Sequence, residues 1–316
     1  MEQRQLGRSG LSVAPLCFGG NVFGWTADEA TSHRLLDAFL DEGFNFIDTA
    51  DAYSRWAPGN QGGESETIIG TWLKSRGSRD KVVIATKVGS EMGPGRKGLS
   101  PVYIRRAVED SLRRLQTDVI DLYQSHWDDP ETPFEDTLGA YKDLMDQGKV
   151  RAIGASNLTP ERLREALDTS ARTGLPRYES LQPEYNLYDR HGYEARLEPL
   201  CRDAGIGVIS YYSLASGFLT GKYRSADDAG KSTRGGGVVG KYLNDRGRNI
   251  LAALDEVAGR YEATPAQAAL AWLIGRPGLT APIASATSVE QLRDLTTAAR
   301  LRLDDDAVRW LDSASA

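Results

Sequence analysis

The chain has 316 residues, 40% of them hydrophobic and 26% charged, with a formal net charge of −6. That acidic balance argues against nucleic acid or an anionic membrane surface as a partner, and no stretch approaches the ~18 consecutive apolar residues of a membrane helix. The two cysteines, Cys17 and Cys201, have no metal-ligand spacing, and the opening MEQRQLGRSGLSV lacks the apolar run of a secretory signal, so a reducing, cytoplasmic setting is expected.

In chain order, residues 4–13 read as a small hairpin turning at Arg8-Ser9-Gly10 and closing one end of the fold. Pro15–Phe18 is a first strand, ending in Gly19-Gly20. Thr26–Glu42 is helical, with Leu35, Leu36, Phe39 and Leu40 on one face and Gly43 as the stop. Phe44–Ile47 is strand two, and Glu64–Ser75 the next helix. Strand three, Val82–Thr86, ends at Lys87, and Ser100-Pro101 supplies a cap and a first-turn proline for the following helix. Strand four runs from Val119 to Gln124, helix four from Pro133 to Asp146, strand five from Val150 to Gly154, and Thr159-Pro160 opens helix five. The second half continues with strand six at Glu179–Gln182, a helix at Glu194–Ala204 and strand seven at Gly207–Ser210. A long polar segment, Ala215–Arg246, precedes helices at Arg248–Tyr261 and Pro265–Ile274. Strand eight, around Leu279–Ile283, and a helix at Ser288–Ala299 complete the pattern.

Eight strands alternating with helices imply a parallel sheet, and the expected fold class is an α/β protein of the (β/α)8 TIM-barrel type. Periodicity alone also admits an open sheet. No Pro/Gly-rich linker divides the chain, so residues 1–316 are expected to form one barrel domain, with long loops on the C-terminal rim.

Two glycine-rich runs fail on context. Gly93-Pro94-Gly95-Arg96-Lys97-Gly98 fits G-x-G-x-x-G but neither follows a strand nor enters a helix, and Gly230-Lys231-Ser232 lacks the leading glycine of a phosphate loop because position 225 is Ser225. No His/Cys/Asp/Glu cluster has metal spacing, so no metal site is expected.

The informative feature is where strands two, three and four end: Asp48, Lys87 and His126, with Tyr53 in the loop after Asp48. Singly, Asp48 reads equally as a helix cap, Tyr53 as a loop aromatic, Lys87 as a rim lysine and His126 as a buried histidine. In a barrel the three strand ends are neighbours on one rim, where functional groups collect. A buried lysine there needs a counter-ion, which Asp48 provides. A tyrosine beside the ammonium is expected to have its pKa lowered from ~10, which would suit a proton donor near neutral pH.

These residues resemble those of the aldo-keto reductase family. The resemblance is carried by Asp48-Thr49-Ala50-x-x-Tyr53, Thr86-Lys87, Ser125-His126-Trp127, Gly154-Ala155-Ser156-Asn157 and Gln182-Pro183-Glu184-Tyr185-Asn186, then by Tyr211 through Gly217-Phe218-Leu219-Thr220-Gly221-Lys222-Tyr223. It covers nearly the whole chain and implies a (β/α)8 barrel that binds a nicotinamide cofactor without a Rossmann domain. By that resemblance Tyr53 gives a proton to a carbonyl oxygen as hydride arrives, Lys87 held by Asp48 tunes it, and His126 orients the carbonyl. Ser156, Asn157 and Gln182 hold the nicotinamide carboxamide and Tyr211 stacks on its ring. The segment Leu214–Leu219, including Ser216 and Gly217, lines the pyrophosphate, and Ser285, Thr287, Ser288 and Gln291 receive the adenosine phosphate at a helix N-terminus.

Two departures stand out. Tyr211-Tyr212-Ser213-Leu214 replaces the Tyr-Ser-Pro-Leu of many members, so this loop is expected to take a different path. The run Ala284–Gln291 holds no lysine or arginine to grip the 2′-phosphate of NADPH, which leaves Arg293, Lys222 or Arg224 to compensate. NADP(H) is the expected cofactor, with NAD(H) as the alternative. Phe23, Trp25, Trp56 and Trp127 fall in rim loops and are expected to wall an apolar or cyclic carbonyl substrate, with at least one of them packing beneath the loops instead. The functional expectation is a reversible NAD(P)H-dependent carbonyl reductase. Two readings compete: a slow or non-catalytic accessory subunit resembling potassium-channel beta subunits, and a phosphate-sugar barrel enzyme without nicotinamide. Substrate, reaction direction and oligomeric state are not legible.

Overall fold

A computed structural model describes residues 2–316. Its centre is a closed barrel of eight parallel strands: β3 (Cys17–Gly19), β4 (Phe46–Asp48), β5 (Val83–Val88), β6 (Ile120–Ser125), β7 (Val150–Ser156), β8 (Ser180–Gln182), β9 (Gly207–Ser210) and β10 (Leu279–Ala284). Closure is direct, since β10 pairs with β3 through Ile283 against Cys17 and Ala284 against Phe18. The open-sheet alternative is thereby removed. A two-stranded hairpin, β1 (Arg4–Gln5) with β2 (Ser12–Val13), precedes the barrel.

The surrounding helices are α1 (Glu29–Asp41), α2 (Glu64–Arg76), α3 (Pro101–Leu115), α4 (Phe134–Asp146), α5 (Pro160–Thr173), α6 (His191–Glu194), α7 (Leu197–Ala204), α8 (Gly235–Tyr242), α9 (Asp245–Arg260), α10 (Pro265–Ile274), α11 (Val289–Ala298) and α12 (Asp305–Ala314). Their starts follow local chemistry. The side chains of Ser100, Thr159 and Thr264 each accept an N-terminal N–H, with proline in the first turn, and Gln267 completes a capping box on Thr264.

The core has two layers. The larger fills the space between helices and strands, with Trp72, Trp272, Phe39 and Tyr141 buried in it. The smaller lies inside the barrel and contains Cys17, Phe46, Val83, Ala85, Leu122, Ala152, Ile209 and Ala281. Leu6, Leu11 and Val13 join this inner layer, so the hairpin plugs the barrel. It does so at the N-terminal end, because the Arg4 guanidinium donates to the carbonyls of Ile274, Leu279 and Thr280 at 2.9, 3.0 and 3.2 Å. Gly7 has φ +57, and a Cβ there would lie 2.2 Å from the Glu179 carbonyl oxygen, so this approach requires glycine. No helix among the described residues is long and apolar enough to cross a membrane.

Three expectations are revised. The helix expected at Glu194–Ala204 breaks at Arg196 (φ −141) into α6 and α7. Pro199 explains the break: inside one continuous helix it would lose the bond to the Ala195 carbonyl, whereas in the first turn of α7 no such bond is needed. The segment expected as a polar loop is built from 3₁₀ turns at Ala215–Thr220 and Ala226–Lys231 followed by α8. A Ser225/Asp228 capping box holds the second turn, and buried Val238 and Tyr242 anchor α8, with Tyr242 stacked on Phe218 at 5.5 Å. Finally, α12 lay outside the expected elements. Its apolar side buries Ala307 and Leu311, with Val308 and Ala314 packed against the core, and polar contacts add to them: Asp312 accepts from the Trp272 indole at 3.0 Å and pairs with Arg276 at 3.1 Å.

Candidate active site

Strand parity builds the site. Side chains two apart in a strand share a face, and Phe46, Ala85, Leu122 and Ile209 all point into the barrel's inner core. Two residues further toward the C-terminal end stand Asp48, Lys87, Gln124 and Tyr211. The apolar interior therefore ends in a polar layer at the rim.

Lys87 is the hub of that layer and is fully buried. Its ammonium donates to both Asp48 carboxylate oxygens at 2.7 Å, to the Thr49 carbonyl at 2.9 Å and to the Tyr53 hydroxyl at 2.7 Å. Tyr53 in turn donates to Asp48 Oδ2 at 3.0 Å. Gln182 Nε2 donates to Asp48 Oδ1 at 2.9 Å and Gln124 Nε2 to the same oxygen at 3.4 Å. Gln124 escaped the sequence reading, although its position two residues before His126 carried the same inward parity.

His126 follows β6 directly, its N–H bonded to the Val88 carbonyl at 2.8 Å. Its Nδ1 lies 2.9 Å from Ser90 Oγ, and its ring centroid is 6.0 Å from that of Tyr53. A Ser90 hydroxyl donating to Nδ1 would place the imidazole proton on Nε2. Burial, then the Lys87 charge, hold the imidazole pKa well below its usual value, so the ring is neutral at physiological pH.

The expected lowering of the tyrosine pKa is not what the geometry supports. Burial, followed by the Asp48 carboxylate, pushes the Tyr53 phenol well above its ordinary value. Lys87 does not reverse this, because Asp48 bonded at 2.7 Å offsets its charge as seen from the phenol. Lys87 is itself pulled down by burial, against the pull of Asp48. Tyr53 is therefore a fully protonated donor at neutral pH, and it reaches that state through burial.

The residues considered for the nicotinamide form one connected group. Ser156 Oγ donates to the Gln182 carbonyl at 2.8 Å, Asn157 Nδ2 to the His126 carbonyl at 2.9 Å, and the Tyr211 hydroxyl to Asn157 Oδ1 at 2.9 Å. Asn157 has φ +57, a conformation asparagine tolerates better than most residues. After β9, Tyr212, Ala215, Ser216 and Gly217 all have positive φ, from 48° to 93°. Left-handed turns of this kind form anion-binding nests. The Lys222 ammonium lies over Gly217, where an added Cβ would meet Cε and Nζ at 3.4 Å. Leu219 is buried and donates its N–H to the Leu214 carbonyl. Arg224 is turned elsewhere, forked onto Asp255 at 2.8 and 2.7 Å and bonded to the Gly221 carbonyl at 2.7 Å. At the far side Ser285 Oγ contacts the Gly19 carbonyl at 2.8 Å and Asn21 Oδ1 at 2.6 Å. Ser288 caps α11 by accepting from the Gln291 N–H, and Gln291 Oε1 accepts from the Thr287 N–H at 2.9 Å. Amide and hydroxyl groups at one end, a cationic nest between, and a capped helix N-terminus at the other fit the parts of a nicotinamide dinucleotide in order.

Of the four aromatic residues considered for the mouth, Phe23 is fully buried and stacked on Phe18 at 5.5 Å, so it supports the loop from below. Trp56 and Trp127 are half exposed, at 50% and 52%. Trp56 lies 6.1 Å from the Tyr53 ring, Trp25 stands edge-on to Trp56 at 5.7 Å, and Trp127 stacks on His126 at 5.8 Å. Tyr212, 48% exposed and edge-on to Tyr211, and Arg234, whose guanidinium lies 4.6 Å from the Trp25 ring, were not among the expected site residues.

The sequence model of the aldo/keto reductase family matches residues 15–316. Among curated relatives, "Uncharacterized oxidoreductase YrpG" of Bacillus subtilis is 37% identical over 99% of this chain and 95% of its own length. "Protein tas" of Escherichia coli is 32% identical over 99% and 97% of the two chains. A "Probable voltage-gated potassium channel subunit beta" of Arabidopsis thaliana is 33% identical over 93% and 90%.

Proposed function

The chain belongs to the aldo/keto reductase family of NAD(P)H-dependent oxidoreductases, and from that premise we propose that it reduces an aldehyde or ketone, and reversibly oxidises the alcohol, with Tyr53 as the general acid and base. The observation that carries the proposal is the Tyr53 hydroxyl held between Lys87 at 2.7 Å and Asp48 at 3.0 Å, beside a neutral His126. The bound nicotinamide supplies or accepts the hydride at the carbonyl carbon. Tyr53 delivers its proton to the oxygen, and Lys87 stabilises the phenolate left behind. His126 donates from Nε2 to the developing oxyanion, so both groups act most strongly in the transition state.

Ser156, Asn157, Gln182 and Tyr211 would hold the nicotinamide end. Leu214–Leu219 with Lys222 would bind the pyrophosphate, and Ser285, Thr287, Ser288 and Gln291 the adenosine end. NADP(H) is the proposed form. Trp25, Trp56 and Trp127 would wall the substrate, and residues 1–316 would act as one domain. The test is Tyr53→Phe, which removes only the proton. Carbonyl-dependent NADPH oxidation should fall by about 10²–10⁴-fold while NADPH still quenches tryptophan fluorescence. Turnover at the wild-type rate would remove Tyr53 from the mechanism.

One observation favours a second reading. The Arabidopsis relative, matched over 93% of this chain, is named a channel subunit. A slow, cofactor-sensing subunit would bind NADPH as tightly but reduce no aldehyde or ketone in a broad panel faster than one turnover per binding event.

A further inference from the structure

A neutral His126 ring carries a single N–H, and its two nitrogens put that proton to opposite uses. On Nε2 it can be given to a carbonyl oxygen. On Nδ1 it would leave Nε2 a bare acceptor, for which a carbonyl oxygen has nothing to offer. Burial, then the Lys87 charge, keep the ring neutral, so the hydrogen bonds around it decide which nitrogen is protonated.

The ring is closely held. The His126 N–H meets the Val88 carbonyl at 2.8 Å, and the His126 carbonyl accepts from Asn157 Nδ2 at 2.9 Å. Trp127 stacks on the ring with 15° between the planes, and the Tyr53 ring stands edge-on at 70°. Nδ1 faces Ser90 Oγ at 2.9 Å. Nε2 has no partner among the described residues and is not shut off from solvent, so it opens to the mouth. Ser90 is placed as firmly. Val88 pairs with Ser125 across β5 and β6, and Gly89 then turns the chain at φ +113. A Cβ added at Gly89 would lie 3.1 Å from Leu99 Cδ2, and that φ itself favours glycine. The Gly98 N–H closes the turn on the Gly89 carbonyl at 3.1 Å. Ser90 thus arrives at Nδ1 already buried.

We propose that Ser90 is a positioning residue whose hydroxyl donates to His126 Nδ1 and so keeps the ring proton on Nε2, where it meets the carbonyl oxygen. The direction follows from the partners present. Nδ1 is the only acceptor that the Ser90 hydroxyl reaches among the described residues. With the bond reversed, the hydroxyl hydrogen of a buried serine would have no acceptor, which is costly. With Ser90 donating, both atoms are satisfied and Nε2–H is left free at the mouth. The proposal rests on the carbonyl-reductase reading above and adds to it the group that prepares His126. Ser90 itself touches no reacting atom and acts only through the ring.

The test joins a spectrum to kinetics. The chain has 3 histidines, so isotope-labelled histidine gives few ring signals, and a His126→Gln variant assigns the one in question. Two-bond nitrogen–proton correlation spectra then read which ring nitrogen is protonated. The wild type should show Nε2–H and a bare Nδ1 at about pH 7. Ser90→Ala should populate the Nδ1–H form and lower kcat for aldehyde reduction with NADPH about tenfold, with KM and the NADPH Kd each kept within about twofold. Nδ1–H in the wild type would overturn the proposal without need of a variant. A lower kcat in Ser90→Ala with Nε2–H unchanged would make Ser90 a packing residue and overturn it as well. The spectrum does not depend on turnover: Nε2–H in a wild type that reduces no aldehyde would support the Ser90 assignment while removing the carbonyl-reductase reading.

Discussion

Lys87 and Asp48 form a doubly bonded ion pair, both contacts at 2.7 Å, with the two side chains sealed from solvent. Asp48 also accepts from Tyr53 and Gln182. Asp48→Ala therefore leaves a buried ammonium uncompensated. It should cost about 3–5 kcal/mol of stability, read by urea unfolding, and should abolish carbonyl reduction. A loss below about 1 kcal/mol would mean that water enters and solvates the ammonium.

The direction of the Tyr53 shift fixes a pH asymmetry. Reduction needs the phenol, which a raised pKa keeps protonated through neutrality. Oxidation needs the phenolate, whose fraction rises tenfold per pH unit below that pKa. Thus kcat/KM for carbonyl reduction should be flat from about pH 6 to 8, whereas that for alcohol oxidation should climb with a slope near one. His126, held well below its usual value, should add no break near about pH 6.5. An inflection there in the reduction profile would show a titrating imidazole.

The barrel was legible because strand alternation and helix caps are local signals, and consecutive strand ends put Asp48, Lys87 and His126 on one rim, whereas Gln124, two residues before His126, was passed over. What escaped depends on tertiary balance. A sign for the Tyr53 shift cannot be had from the neighbouring ammonium alone, since burial and Asp48 outweigh it. Phe23 reads as a rim aromatic until its stacking on Phe18 is seen. The α12 helix carried a readable signal that was passed over, Asp304 as its cap and Ala307, Val308, Leu311 and Ala314 at helical spacing, and Asp312 contacts to Trp272 and Arg276, from α10 and just beyond it, add to its hold. Pro199 was the readable signal for the break between α6 and α7.

Asp51 should make stability fall as pH rises. It is buried, its Oδ1 has no partner, and burial followed by the neighbouring Glu66 charge pushes its carboxyl up to about 8, against Arg114 and Lys87. Between the unfolded value of ~3.9 and about 8 the folded state holds a proton that the unfolded state has released, so stability declines with pH across that window and the loss is complete above it. Asp51→Asn, which cannot ionise, should flatten the dependence. The gain over wild type should be larger at pH 8 than at pH 5 by about 2–4 kcal/mol in urea titrations. A gain independent of pH would place the ionisation elsewhere.

The two cations after Gly221 should separate cleanly in cofactor binding. Lys222 lies over the left-handed turn at Gly217, in the segment assigned to the pyrophosphate, which NADPH and NADH share. Arg224 is already forked onto Asp255. Lys222→Ala should therefore raise the Kd of both cofactors about tenfold, and Arg224→Ala should change neither by more than about twofold. Arg293, exposed on α11 and without an ion pair among the described residues, is left to meet the 2′-phosphate, so Arg293→Ala should weaken NADPH alone. Fluorescence-quenching titrations of both cofactors read all three variants. Selective loss of NADPH in Lys222→Ala would move the 2′-phosphate to Lys222. Tighter binding of NADH than of NADPH by the wild type would overturn the assignment of NADP(H), because neutral hydroxyls at Thr287 and Ser288 would then be serving an adenosine ribose without a phosphate.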